Sequence, residues 1–409
     1  MKSFKIIHVF NDDKFVDVAI KLFEIACPNQ SDYWINSKNK QPFKYVTSKL
    51  AKPIFLNEIQ DNQNFVDYVV SMSNIVVFLH ALDAPKQSLV NRLPENIVKV
   101  WFLWGYDFYR KWPLLKNNNL EFYTNKKFKK KQSLKQLLIY NSLTFYFFKN
   151  RKKYGFLIPK KVQVILENNF NTEYYKAVLK IDAVAPVVPT EFNLVKKINP
   201  KIKFVPFTYG SIEDLLGESI NKNVIFASNI LVGNSADPTN NHLDVFIKLS
   251  RLNLRNRKVV VPLSYGGSIE YRDQIISEGK RLLGQNFLPI TEFMSLQEYN
   301  KLLISCGTLI FNHVRQQGVG NIISMGYLGA KLFINEKSPV YKFFKNEGIV
   351  MNSILELNQM NLNSNLTEKS FHHNKTVLYK LYSEEKSIKK IKDLIDVVER
   401  ILNSKSYNA

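Results

Sequence analysis

Short apolar runs alternate with stretches of helical period along most of this chain, and that alternation leaves few architectures open. FKIIHVF, Phe4 to Phe10, reads as a first strand. Lys14 to Ala26 follows with Phe15, Ala19, Leu22 and Phe23 on one helical face. Further strands are expected at Ile75 to His80, at Ile97 to Gly105 and around Val184. Apolar strands separated by helices imply a parallel sheet covered on both faces. A boundary falls between about Pro200 and Lys222, and a second series follows. NVIFASNILVGNS reads as a long strand region, HLDVFIKLSRL as a helix and RKVVVPLSYG as a strand. SIEYRDQIISEGKRLL and LQEYNKLLISC read as helices, TLIFN as a strand, and GNIISMGYLGAKLFIN as a helix leading to a strand. The predicted organisation is an α/β chain with domains at 1–205 and 222–385. A closing helical segment, 386–409, is expected to pack back on the first domain.

With 409 residues there is room for two full cores, and 45% hydrophobic and 13% aromatic content argue against disorder. No apolar run approaches the roughly 20 residues needed to span a bilayer. MKSFKIIHVFNDD meets acidic residues soon after its first apolar run, which fits a strand better than a secretory leader. Cys27 and Cys306 match no metal or redox spacing, so a reducing compartment is the simple expectation.

The formal net charge of +22 implies an anionic partner: membrane, nucleic acid or a polyphosphate substrate. Its location is informative. From Arg110 to Lys161 there are fifteen Lys and Arg against one acid, Glu121. Two clusters stand out: Lys126, Lys127, Lys129, Lys130 and Lys131, then Lys149, Arg151, Lys152 and Lys153. Between them lies the aromatic-rich LKQLLIYNSLTFYFF, Leu134 to Phe148. On an anionic bilayer, each such basic residue would contribute about 1 kcal/mol, and the aromatics would sit at the headgroup boundary. The same mixture would also suit single-stranded nucleic acid, or a solvated helical hairpin with a buried aromatic face.

TLIFNHVRQQGVGN, Thr308 to Asn321, carries the most chemistry. A strand runs into Arg315, Gln316, Gln317, Gly318 and Gly320, and a helical pattern starts near Asn321. Strand, glycine loop and helix N-terminus make an anion site, because free N–H groups and the dipole's positive end converge there. Arg315 adds a charge with fork geometry suited to phosphate. An ordinary βα turn would use the same glycines. LVGNSADPTNNH places Gly233, Asn234 and Ser235 after another strand, and PLSYGG places Ser264 and Tyr265 after a third. Capping and plain turns are the bland alternatives at those two loops. FLPITEFMSL, Phe287 to Leu296, reads as a loop before a helix.

The strings ILVGNSADPTNNH, VVVPLSYG, FMSLQEYNKLL and RQQGVGN, in this order, resemble glycosyltransferase family 56. Trp104, Gly105, Asp107 and Tyr109 resemble that family's Trp-Gly-x-Asp-x-Tyr segment, and IHVF resembles its first strand. The resemblance covers roughly Lys5 to Ile334 and weakens across 110–161 and the C-terminal region. It implies a GT-B fold: two facing Rossmann-like, doubly wound domains with an interdomain cleft. The C-terminal domain would hold the donor and the N-terminal domain the acceptor. It further implies a dTDP-sugar donor (a UDP-sugar is the alternative) and an undecaprenyl-diphosphate-linked saccharide acceptor. The enzyme would work as a peripheral protein at the cytoplasmic face of the bacterial inner membrane, in surface polysaccharide assembly. No cofactor, metal or nucleic acid is expected. A non-catalytic nucleotide-sugar or nucleic-acid binding protein is the alternative from another class.

On this reading Arg315 stabilises the leaving diphosphate, and Gly318 and Gly320 let main-chain N–H groups reach its oxygens, with Asn321 beside them. Candidate bases for an acceptor hydroxyl are Asp107, which follows Gly105 at a strand end and is expected to face the cleft, His80, and Asp12 or Asp13. Asn11, Trp104 and Tyr109 complete the expected acceptor side. His8 reads as a core histidine, and His313 as either a phosphate contact or structural. A retaining reaction would need no dedicated base.

Overall fold

The computed structural model describes residues 4–37, 42–109, 119–128, 133, 141–170 and 172–406. The chain forms two compact units. The first contains β1 (Lys5–Asn11), β2 (Ser31–Asn36), β3 (Ala51–Ile54), β4 (Ile75–His80), β5 (Val98–Leu103), β6 (Ala183–Pro186) and β7 (Lys203–Phe204). They make a seven-stranded sheet in the order β3-β2-β1-β4-β5-β6-β7, and every pairing is parallel. Successive side chains alternate across this sheet, and each face has its own core. Ile7, Val9, Val77, Leu79 and Trp101 pack with helices Ile59–Val70, Ala84–Arg92 and Glu173–Lys180. Ile6, Phe10, Val76, Phe78 and Phe102 pack with helix Val16–Ala26 and with Ile391, Leu394, Ile395, Val398 and Leu402 of the last helix, Glu384–Ser406. Burial from both sides explains why β4 and β5 contain no exposed residue. The last helix is also clamped by Lys405, whose Nζ lies 2.7 Å from Asp182 and donates to the Glu95 carbonyl.

The second unit contains β8 (Asn229–Val232), β9 (Val259–Pro262), β10 (Phe287–Ile290), β11 (Cys306–Phe311), β12 (Lys331–Ile334) and β13 (Asn352–Ser353). Their order is β10-β9-β8-β11-β12-β13, again all parallel. Both sheets are doubly wound. The strand order reverses between β1 and β4 in one and between β8 and β11 in the other. Ligands of such sheets bind beyond the strand carboxyl ends at that reversal.

The structure departs from the sequence reading in several places. Only Asn229–Val232 of NVIFASNILV is strand, and Phe226 in the expected strand is 81% exposed. Phe287–Ile290 pairs with β9 as a strand instead of forming a loop. The polar stretch after Asn363 contains a helix, Glu368–Tyr382, whose Phe371, Leu378 and Tyr382 are buried. It packs on helix Val319–Leu328, where Gly326 and Gly329 make room for Leu378 and Phe371.

Helix Phe122–Phe128 groups with the second unit although it precedes β6 in the chain. Asp244 accepts from the Tyr123 and Thr124 N–H groups at 2.8 Å each and from the Thr124 hydroxyl at 2.5 Å. Asn241 accepts from the Glu121 N–H, and the Phe128 ring meets Tyr271. Lys127 is exposed and ion-paired with Glu278. Lys126 is exposed. Lys129, Lys130, Lys131 and the Lys149 side chain lie outside the described residues. Arg151, Lys152 and Lys153 are exposed in the first unit.

Candidate functional site

At the carboxyl end of the second sheet, the loops after β8, β9 and β11 form one hydrogen-bonded body. Gly233 has φ +66°, and a Cβ there would lie 2.7 Å from both Asn240 Oδ1 and His242 Nε2. Asn240 fills that place. Its Oδ1 accepts from the Asn234 N–H at 2.8 Å and lies 2.7 Å from His313 Nε2, while its Nδ2 donates to Ser235 Oγ and the Asp237 carbonyl. Burial pushes the His313 pKa well down, so the neutral ring donates through Nε2. His313 is thus a support of the loop, 2% exposed.

The loop after β9 joins through Tyr265. Its carbonyl accepts from the Ala236 N–H at 2.7 Å, and its hydroxyl accepts from Asn234 Nδ2 at 3.1 Å. The Tyr265 ring is about half exposed, and Ser264 is half-buried beside it. Gly267 has φ +63°, and a Cβ there would lie 1.9 Å from the Ala236 carbonyl oxygen, so no larger residue fits.

Gln317 links the loop after β11 to the others. Its Nε2 donates to Asn234 Oδ1 at 2.9 Å and to Ser235 Oγ at 3.2 Å. The Thr239 hydroxyl lies 2.7 Å from both Gln317 Oε1 and Asp237 Oδ1 and accepts from Arg315 Nε at 3.0 Å. Arg315 is 6% exposed. Its Nη1 donates to the Gln316 carbonyl and its Nη2 lies 3.9 Å from Asp237 Oδ1. The guanidinium therefore braces the loop from inside, which the sequence reading of an open phosphate ligand did not anticipate. Gln316 is buried, and its Oε1 has no hydrogen-bond partner among the described residues. Gly318 (φ +63°) ends this loop at the start of helix Val319–Leu328. Gly320 lies in the first helical turn with only Leu215 within reach of a Cβ, at 3.6 Å. Asn321 Nδ2 donates to the Tyr299 hydroxyl at 2.8 Å.

The first sheet has a pocket at its own reversal point, lined by Phe10, Asn11, Asp13, His80, Ala81, Trp104 and Tyr106. Four sequence-predicted residues meet there: Asn11, Asp13, His80 and Trp104. Asn11 is tied to the buried Lys86–Asp83 pair, accepting from Lys86 Nζ at 2.7 Å and donating to Asp83 Oδ2 at 2.6 Å. His80 Nε2 is 3.0 Å from His8 Nδ1, and His80 Nδ1 is 2.6 Å from the Tyr209 hydroxyl. Tyr209 accepts from Trp104 Nε1 at 2.6 Å, which fixes the indole. Burial holds both histidines well below the ordinary range, so they are neutral links.

Three expected acceptor-side residues lie elsewhere. Asp107 is 1% exposed and turned inward, against the expectation that it faces a cleft. It accepts from the Leu82 N–H at 2.8 Å, the Trp104 N–H at 3.0 Å and Trp101 Nε1 at 2.7 Å. Tyr109 is 3% exposed within the first unit's core. Asp12 accepts from the Lys44, Tyr45 and Val46 N–H groups and so anchors that loop. Asp237, Thr239, Asn240, Asn241, Lys86 and Tyr209 escaped the sequence reading. A dense polar run directly after a glycine turn, DPTNNH, was the signal available for four of them.

Residues 217–370 match the family model described as 4-alpha-L-fucosyltransferase glycosyl transferase group 56. The chain is a glycosyltransferase. The matched residues include all three loops of the second unit's site. Solved structures similar to the whole chain include a glycosyltransferase from Rickettsia africae ESF-5, with 10% identity, TM-score 0.56 and coverage of 98% of this chain and 99% of that one. Another is the alpha,alpha-trehalose 6-phosphate synthase from Burkholderia multivorans, with 9% identity, TM-score 0.61 and coverage of 100% and 98%. The N-terminal domain of Candida albicans trehalose-6-phosphate phosphatase matches with 10% identity, TM-score 0.60 and coverage of 96% and 97%. At such identities the likeness concerns fold, and the fold of this glycosyltransferase is GT-B.

Proposed function

We propose that this glycosyltransferase moves a 4-acetamido-4,6-dideoxyhexosyl group from a dTDP-sugar to an undecaprenyl-diphosphate-linked saccharide. The observation that carries the donor half is the three-loop body at the β8–β11 reversal. Gln317, Asn234, Thr239 and Arg315 hold it in shape through hydrogen bonds to one another, so little ordering would be needed when a nucleotide diphosphate binds. The diphosphate would sit over Gly318, Gly320 and the first turn of Val319–Leu328, where free N–H groups and the helix dipole favour negative charge. Arg315 would act mainly by holding that loop. Stabilisation of the leaving diphosphate in this way lowers the barrier to breaking the sugar–phosphate bond.

A lipid-linked acceptor would be met at the membrane. Among the described residues no helix is long and apolar enough to cross one. Residues 141–164 of the first unit instead expose Leu143, Tyr146, Phe156, Leu157 and Val164 beside Arg151, Lys152, Lys153, Lys160 and Lys161. Exposed aromatics among lysines suit peripheral attachment to anionic lipid, here the cytoplasmic face of the inner membrane.

Thermal-shift measurements against dTDP- and UDP-sugars, followed by transfer to a polyprenyl-diphosphate disaccharide, test the proposal. Stabilisation by dTDP-sugars with product formation supports it. Selective stabilisation by UDP-sugars would move the donor assignment, and binding without transfer to any lipid-linked saccharide would remove the acceptor.

A further inference from the structure

We propose that the groove between edge strand β3 and helix Ile59–Val70 is a second saccharide site, one that holds a neutral oligosaccharide away from the reacting groups. It shares no lining residue with the pocket at the β1–β4 reversal. It does not depend on the donor or the acceptor proposed above.

The groove lies at the edge of the first sheet, where β3 is the outermost strand, paired only with β2. Trp34 of β2 packs edge-on against Phe65 and Tyr68 of the helix, with ring centroids 5.4 and 5.5 Å away. Phe65 is buried beneath, while Tyr68 is 37% exposed. The space is about 240 Å³ and lies open to solvent. An open trough suits a stretch of polymer better than a small metabolite, which pockets largely enclose.

The lining chemistry selects the occupant. Trp34, Phe55, Phe65 and Tyr68 offer aromatic surface to the C–H faces of sugar rings. Asp61 and Asn64 line the same groove. Asp61 makes no hydrogen bond or ion pair among the described residues. A carboxylate only accepts, so it calls for a hydroxyl or N–H donor, and a hydrocarbon chain would leave it unmet.

Charge removes the other classes. The lining holds no Lys, Arg or His. Residues 53–85 carry the acids Glu58, Asp61, Asp67 and Asp83 and no Lys or Arg, in a chain with 57 such cations. Nucleotides, phosphates and anionic headgroups are therefore disfavoured here, in contrast to the basic surface of 141–164. A cationic ligand is disfavoured as well. Lys52 Nζ already lies 5.4 Å from the Trp34 ring centroid, steadied by Asp32 at 3.5 Å. A neutral ligand with apolar faces and many hydroxyl groups fits what remains. On a glycosyltransferase, such a groove would keep a saccharide chain on the protein without touching the reaction.

Isothermal titration of the full chain with neutral trisaccharides of hexose and of N-acetylhexosamine tests the proposal. Saturable binding at millimolar concentration is expected. Asp61→Ala and Tyr68→Ala alter accessible side chains, so both should fold and keep the wild-type thermal shift with dTDP. Each should weaken trisaccharide binding by about 10-fold. No binding of either trisaccharide, or wild-type affinity in both variants, would overturn the site. Tighter binding of a trimethylammonium ligand than of the trisaccharides would overturn the saccharide assignment. The readout is binding alone. Failure of sugar transfer to lipid-linked saccharides would defeat the proposed function and leave this site standing.

Discussion

Gln317 Nε2 donates to Asn234 Oδ1 at 2.9 Å, joining the loops after β11 and β8 across 83 residues of sequence. The bond holds the two loops at the β8–β11 reversal together. Gln317 is held further by Ser235 and Thr239, and Asn234 by the Tyr265 hydroxyl and, through its backbone N–H, by Asn240.

Breaking that link should therefore cost stability and donor binding together. Gln317→Ala and Asn234→Ala are each expected to destabilise by about 1 kcal/mol, with a coupling of about 0.5–1.5 kcal/mol in a double-mutant cycle. Urea unfolding with and without dTDP measures both. Strict additivity would show that the loops are independent.

The two glycines of RQQGVGN should behave oppositely. Gly318→Ala places a Cβ at φ +63°, 2.6 Å from the Phe311 ring, and should destabilise by about 1–3 kcal/mol. Gly320→Ala meets only Leu215 at 3.6 Å, and alanine's helix propensity should raise stability by up to about 1 kcal/mol. A ligand approaching that backbone would nevertheless meet the new methyl group. Isothermal titration with dTDP should show weaker binding in Gly320→Ala, and unchanged affinity would remove the diphosphate from this turn.

Asp107→Asn should act on folding first. The buried carboxylate accepts three N–H groups, and an amide cannot accept all three without turning a donor toward one of them. A loss of about 3 kcal/mol is expected by urea unfolding. Wild-type stability with abolished transfer would restore Asp107 as a catalytic candidate.

Acid should destabilise the fold. Burial holds His8, His80 and His313 well below the usual histidine range and His242 at about 3. In the unfolded chain they titrate near 6.5, so below about that pH the unfolded state binds more protons. Stability then falls as pH drops, by up to about 1.4 kcal/mol per pH unit for each, until the folded pKa is reached. Chemical unfolding at about pH 7 and about pH 5 measures the slope. His80→Gln should reduce it, and a flat profile would contradict neutral burial.

Membrane attachment should depend on both the charges and the exposed apolar side chains of 141–164. Phe156→Ala with Leu157→Ala should weaken sedimentation with anionic liposomes in all salt conditions. Lys152→Gln with Lys153→Gln should remove about 1 kcal/mol per lysine, mainly at low salt. Liposome binding indifferent to both pairs would place the attachment elsewhere.

Local pattern made much of this molecule legible. Ile75 to His80 was readable as a strand because a strand buried on both faces must be apolar throughout. Gly233 and Gly318 were readable as loop residues because their φ values near +65° favour glycine. Side-chain direction was not legible. Asp107 looked like a group facing a cleft until Trp101, Leu82 and the Trp104 N–H were seen to surround it. Arg315 looked like an open phosphate ligand, but Thr239 and the Gln316 carbonyl engage its Nε and Nη1 and Asp237 lies 3.9 Å from its Nη2.

The order of apolar runs, helical periods and glycine turns thus determined two parallel, doubly wound sheets, because those signals act within a few residues along the chain. Only tertiary structure decided that helix Phe122–Phe128 joins the second unit and that Asp13 is the carboxylate lining the pocket of the first. Those outcomes depend on partners far away in sequence, such as Asp244 for Thr124 and Asp83 for Asn11, and no local periodicity encodes them.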